Sequence, residues 1–214
     1  FVGAYGCNEI PPAKRPYGEP PPVAPRADYD ANLMRNFMHA DWTNGMPDHW
    51  SFGASGAPAG EYSFLSPMQD NATAEIAVEQ RWTKPDAGTD PMALFGQTVP
   101  DLKPDTYYHL YVAAANNLKN DAVVSVWEVN NYIPGQAASG EIGDVLDERV
   151  ITLPAQNEVT MYAGTFKTRE SSVVRIAVWV DGAENFDAND FVLWWRWILN
   201  EHKPPAGTNS NQGE

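Results

Sequence analysis

Tyr107-Tyr108-His109-Leu110-Tyr111-Val112-Ala113-Ala114 is the stretch on which the fold turns. Tyr108, Leu110, Val112 and Ala114 form one phase; Tyr107, His109, Tyr111 and Ala113 form the other. Successive side chains of a strand point to opposite sides, so this period of two sends one set into a core and the other to an outer surface. The pattern recurs. Val174, Ile176, Val178 and Val180 alternate with Val173, Arg175, Ala177 and Trp179, and Val124 and Val126 alternate with Val123, Ser125 and Trp127. Val159, Met161 and Ala163 alternate with Thr160, Tyr162 and Gly164, leading to Phe166, while Glu75–Trp82 and Phe191–Trp197 are further strand candidates. β-Branched and aromatic residues dominate these runs and turn residues separate them. Nothing reads as a helix longer than two turns; Ile142–Val150 reads as a short helix or a loop. The expected fold is all-β, an antiparallel β-sandwich of jelly-roll type over residues 32–200.

The flanks are different. Residues 1–31 hold 7 of the 18 prolines. Proline lacks the N–H that a ladder or helix needs, so this segment is expected to be an extended arm of polyproline-II character. Pro11, Pro12, Tyr17, Pro20, Pro21, Pro22 and Pro25 are its candidate contact residues. Such an arm buries little against itself, so it is expected to gain order only on another surface. Residues 201–214 form a polar tail containing Pro204-Pro205.

The 214 residues carry 28 Asp and Glu against 14 Lys and Arg, a formal charge of −14. Such acidity repels phosphate backbones and anionic lipid, so neither nucleic acid nor membrane insertion is expected. No apolar run approaches the ~18 residues of a membrane-spanning helix. With 8 Trp, 9 Tyr and 8 Phe, the core must be rich in rings, and some rings should reach the surface. The single cysteine, Cys7, allows no intramolecular disulfide and no cysteine-based zinc site.

Four motifs in order carry a resemblance. These are Asn32-Leu33-Met34-Arg35-Asn36 with Trp42-Thr43-Asn44-Gly45-Met46-Pro47-Asp48-His49-Trp50, then Leu102-Lys103-Pro104-Asp105-Thr106-Tyr107-Tyr108-His109-Leu110, then Tyr162-Ala163-Gly164-Thr165-Phe166, and last Val174-Arg175-Ile176. Over residues 32–197 the chain resembles the β-sandwich superfamily of carbohydrate-binding module families four, nine and twenty-two. The resemblance implies a jelly roll of two antiparallel sheets, opened by a strand at the first motif, with one concave sheet carrying aromatics for sugar. It departs at the structural calcium: Ala40 stands where a ligand Glu would be, and Trp194, Trp195 and Trp197 replace the acidic end of the last strand. A hard cation needs several oxygen ligands, so no metal and no cofactor are expected.

If the aliphatic phase of each strand is core, the other phase presents His109, Tyr111, Ser125, Trp127, Arg175 and Trp179. This mixture of rings and planar donors suits one open sheet face for a glycan or a protein partner. Trp194 and Trp195 must point to opposite faces, one of them core. Asp181, Glu184, Asp187 and Asp190 read as a solvated acidic loop, because their spacing matches no EF-hand. Asn71-Ala72-Thr73 is a formal glycosylation acceptor. His39, His49, His109 and His202 are scattered and read as surface or turn residues. No nucleophile elbow or phosphate-binding loop occurs, so no catalytic residue is assigned and no enzyme is expected.

Two functions are therefore expected. The first is a non-catalytic structural protein of an ordered assembly, on a virion surface or outside the cell. In that reading the sandwich is the brick, and its arms contact neighbouring subunits, as in a virion decoration or tail-associated protein or a filament subunit. The alternative is a carbohydrate-binding module that recognises a glycan through aromatics on one sheet face.

Overall fold

The computed structural model describes residues 31–54, 63–69, 76–82, 93–135, 139–180 and 190–202. The Pro-rich arm, Cys7, Asn71-Ala72-Thr73, residues 181–189 of the acidic loop and the tail beyond 202 lie outside them. Among the described residues twelve strands follow in order: β1 (Trp42–Thr43), β2 (Met46–Pro47), β3 (Ser51–Ala54), β4 (Ser63–Gln69), β5 (Ile76–Trp82), β6 (Ala93–Val99), β7 (Tyr107–Asn116), β8 (Ala122–Asn130), β9 (Glu141–Leu153), β10 (Gln156–Lys167), β11 (Val174–Val180) and β12 (Phe191–Glu201). No helix occurs among the described residues. The expectation of a helix or loop over Ile142–Val150 is overturned, since that stretch belongs to β9. Its charged residues obscured the alternation, and the three shifts of register along its pairing with β8 broke the period.

Two five-stranded sheets, ordered β10-β7-β12-β5-β4 and β3-β6-β11-β8-β9, make the sandwich, and β1-β2 form a small ribbon. Every pairing is antiparallel. The aliphatic phases meet between the sheets as read from the sequence. Tyr108, Leu110, Val112 and Ala114 of β7 share one core with Val124 and Val126 of β8 and Val174, Ile176 and Val178 of β11.

The densest part of that core is aromatic. Trp50 stacks on Phe95 with ring centroids 4.7 Å apart, and Trp197 lies 5.2 Å from Trp50 and 5.3 Å from Trp194. Trp194 and Trp197 are three apart in sequence, which in a regular strand would place them on opposite faces. A bulge resolves this: Trp194 pairs with Ala114, Arg196 with Ala113 and Trp197 with Val112, leaving Trp195 as the extra residue.

The opening motif is not a strand; its side chains do a strand's work instead. β5 pairs with β12 only along Phe191–Trp194. Beyond that point Asn32 takes over the edge, its Nδ2 donating to the Trp197 carbonyl and its Oδ1 accepting from Leu199 N–H, both at 2.9 Å. Leu33 N–H donates to Leu199 O at 2.9 Å and Trp197 N–H to Phe37 O at 3.1 Å. These bonds satisfy main-chain groups that β5 leaves open.

His39 is not a surface residue. It is fully buried against Trp50 and Phe95, with ring centroids 4.8 and 5.8 Å away. Neither ring nitrogen has a hydrogen-bond partner. Burial pushes its pKa down to about 3; the nearby main chain of Trp195 opposes this in part, without reaching hydrogen-bond geometry.

Candidate functional site

The six expected face residues do not share a face. His109 and Tyr111 lie on β7 in one sheet, while Ser125, Trp127, Arg175 and Trp179 lie on β8 and β11 in the other. His109 and Tyr111 on one sheet and Ser125, Trp127 and Arg175 on the other are outward in phase, so they look away from each other across the core. A single strand's alternation defines in and out but not which sheet the strand joins, and that is why the grouping failed.

On the second sheet the outward residues are tied into the fold. Ser125 is buried and its hydroxyl donates to the Glu148 carbonyl. The Arg175 guanidinium donates to Thr98 Oγ1 at 2.7 Å and to the Ser51 hydroxyl, and burial lowers its pKa. Trp127 is half-buried and pairs in register with Arg175. The side chain of Trp179 lies outside the described residues.

The outer face of the first sheet has two zones. One is apolar: Phe191, Leu193 and Trp195 of β12 cluster with Ala77, Ala113 and Ala115, and Val159 and Met161 pack against them. Arg81 caps this zone, its guanidinium 5.1 Å above the Phe191 ring and its Nε bonded to Glu79 Oε1 at 2.8 Å. Trp194 is in the main core and Trp195 in this cluster, as alternation requires.

The other zone is wetter and mixes rings with polar groups. Tyr107, His109 and Tyr111 follow one another along β7, at the ~7 Å spacing of every second strand residue. Tyr107 is 51% exposed, and His109 and Tyr111 are half-buried. Register places Lys167 beside Tyr107, Thr165 and Asn200 on either side of His109, and Ala163 and Ile198 on either side of Tyr111. The Lys167 ammonium lies 5.4 Å from the Tyr107 ring centroid and pairs with Asp105. His109 Nδ1 is 2.9 Å from Thr165 Oγ1, and its Nε2 meets Nδ1 of His202. The two imidazoles stand edge to face at 90°, centroids 4.3 Å apart, and His202 N–H donates to Tyr107 O at 2.8 Å. Partial burial, and then the charge of His202, lower the His109 pKa. The strip thus offers ring faces for C–H groups and flanking donors and acceptors for hydroxyls. His202 was missed in the sequence because its partner lies 93 residues away.

No protein-family model and no curated protein matches the sequence. The fold does match solved structures. The enzymatically active domain of bacteriophage CBA120 tailspike protein 4 aligns with a TM-score of 0.55 and 15% identity, over 80% of this chain and 22% of that one. The chain thus spans about a fifth of the tailspike structure. A protein of Bacteroides thetaiotaomicron with a provisional sugar-binding assignment aligns with a TM-score of 0.50 and 14% identity, over 80% of this chain and all of that one. A carbohydrate-binding module of family 4 aligns at 0.49 with 11% identity, covering 78% and 99%. The chain therefore shares the β-sandwich fold of the tailspike domain and the Bacteroides protein.

Proposed function

We propose that this chain is a non-catalytic carbohydrate-binding domain, and that its platform is the wet zone of the first sheet's outer face. The observation that carries this is the strip Tyr107-His109-Tyr111 on one rigid strand, flanked by Thr165, Lys167, Asn200 and His202. Rings set at strand spacing take successive C–H faces of an extended oligosaccharide, while hydroxyls meet the flanking polar groups. A site on strands is held more precisely than one on loops. The reading places the domain outside the cell or on a surface, where glycans are met.

The test is calorimetry and a glycan array on the whole chain. Tyr111→Ala and His109→Ala should each weaken glycan binding about tenfold, roughly the loss of one ring contact. Trp127→Ala, on the opposite sheet, should leave it unchanged. Absence of binding to any neutral polysaccharide would defeat the reading.

The assembly reading gains no support from the apolar cluster on this sheet, because Phe191, Leu193 and Trp195 are buried within the chain. A mass in solution above that of the monomer would favour it over the glycan reading.

A further inference from the structure

A cleft lies away from the β7 strip. It is shallow and open to solvent, bordered by the segment before β3, the end of β6 and the turn after β8. Leu33, Arg35, His49, Pro100 and Tyr132 line it. Its ionisable lining is Arg35, His49 and Tyr132, with no carboxylate, in a chain that carries 28 Asp and Glu against 14 Lys and Arg.

The donors in this cleft are unspent. Among the described residues the Arg35 guanidinium, the His49 imidazole and the Tyr132 hydroxyl make no hydrogen bond or ion pair; the hydrogen bonds of Arg35 are both main-chain. Other arginines are committed: Arg81 to Glu79, Arg169 to Asp144, Arg175 to Thr98 and Ser51.

The frame that carries these donors is fixed. Arg35 N–H donates to Gln97 Oε1 and Gln97 Nε2 donates back to Arg35 O, both at 2.8 Å, with Gln97 buried. The Asn36 carboxamide clamps the next turn, donating to Asp41 O at 2.8 Å and Asp48 O at 3.1 Å. His49 follows at φ 70°, a left-handed conformation uncommon outside glycine and sustained by that clamp. Such a frame fixes the main chain from which the Arg35 and His49 side chains project into solvent.

A planar guanidinium matches a carboxylate with two parallel N–H···O bonds, and a neighbouring imidazole N–H and phenol add donors. Leu33 and Pro100 supply an apolar wall for the C–H face of a pyranose. We infer that this cleft binds the carboxylate of an acidic sugar, a uronic acid residue. Its anion preference stands on the cleft alone; the sugar class rests on the glycan-binding reading.

Calorimetry on the full chain with an oligogalacturonate, the neutral oligosaccharide of equal length, and sodium sulfate tests this. The oligogalacturonate should bind about tenfold or more tightly than the neutral sugar, and weaken between about 50 and 300 mM salt. Arg35→Ala should remove that preference, and Arg35→Lys should restore it only in part. Because both Arg35 hydrogen bonds are main-chain, the alanine variant keeps its frame, which its amide NMR spectrum will show. Wild-type affinity in Arg35→Ala, equal binding of the neutral sugar, or sulfate binding as tightly as the oligogalacturonate would each overturn the inference. Neutral-sugar binding lost on Tyr111→Ala, with no uronate preference, leaves the β7 strip standing and the cleft refuted. Arg35-dependent uronate binding with no Tyr111-dependent binding does the reverse.

Discussion

His109 and His202 share one hydrogen bond although 93 residues separate them. Two imidazoles can share a proton only while at least one is neutral. The His109 pKa is lowered, by partial burial first and by the charge of His202 second, from an ordinary value of 6.5. The unfolded chain therefore takes up this proton at higher pH than the folded one. The contribution of the clasp is complete above pH 6.5 and is lost as pH falls through the lower folded value. An NMR titration of the imidazole C–H signals should find His109 titrating below 6.5. In His202→Ala it should move back up, though not fully, because the burial remains. A midpoint at 6.5 in both proteins would show that the clasp does not form.

His39 makes the fold acid-sensitive by a separate route. Its pKa is pushed down to about 3 by desolvation, against 6.5 when unfolded. The folded state keeps the ring neutral, so stability declines steadily as pH falls from 6.5 toward 3. A shift of this size amounts to a few kcal/mol by linkage. His39→Asn tests it, because asparagine tolerates the left-handed φ of 53° at this position. The variant loses ring packing and starts less stable at pH 7, yet the fall in urea midpoint between pH 7 and pH 4 should shrink. An unchanged fall would assign the acid sensitivity elsewhere.

These two histidines show where the sequence was legible and where it was not. Period-two alternation placed Tyr108, Leu110, Val112, Val126 and Ile176 in the core, because a strand's in-and-out order is a local property. Alternation cannot say which sheet a strand joins, so Tyr111 and Arg175 were grouped on one face and lie on two. The pairings His109 with His202 and Arg35 with Gln97 depend on long-range register, which no local pattern encodes. His39 sits between residues of ordinary turn character, and its burial follows from Trp50 and Phe95 closing over it. Asn32 was legible as a motif but not as what it is, a side chain standing in for strand backbone.

Gly164 marks the point where the two sheets close on each other. It lies on β10 at the edge of one sheet, and a Cβ there would collide with the Val150 carbonyl of β9, the edge of the other. The obstacle is backbone, so no rotamer change relieves it. Gly164→Ala should cost about 1–3 kcal/mol, read from thermal and urea unfolding. Gly135→Ala, where a Cβ meets nothing within 4 Å but φ is 86°, is the comparison. Its cost should be that of backbone strain alone, about 1 kcal/mol. If the two variants are equally stable, the close approach of β9 and β10 is not a constraint on the fold.

The bulge in β12 predicts an asymmetry between two single-residue deletions. Trp195 is the residue without a cross-strand partner on β7. Removing it makes the strand regular and keeps Trp194 and Trp197 facing the core, with Arg196 outward between them. Removing Leu193 instead keeps the bulge but inverts the phase of the strand before it. Either Trp194 turns out of the core or Phe191 and Val192 exchange faces. Burying both Trp194 and Trp197 is worth several kcal/mol, since truncating one such ring costs about 3–5 kcal/mol. Deletion of Trp195 should therefore leave a folded domain that has lost only the outer apolar cluster, with dispersed amide signals and a moderately lowered melting temperature. Deletion of Leu193 should abolish cooperative unfolding. Equal damage from both would mean that the bulge is fixed by more than the phase of the two tryptophans. His39, packed beside the Trp195 main chain, would then be the residue to examine next.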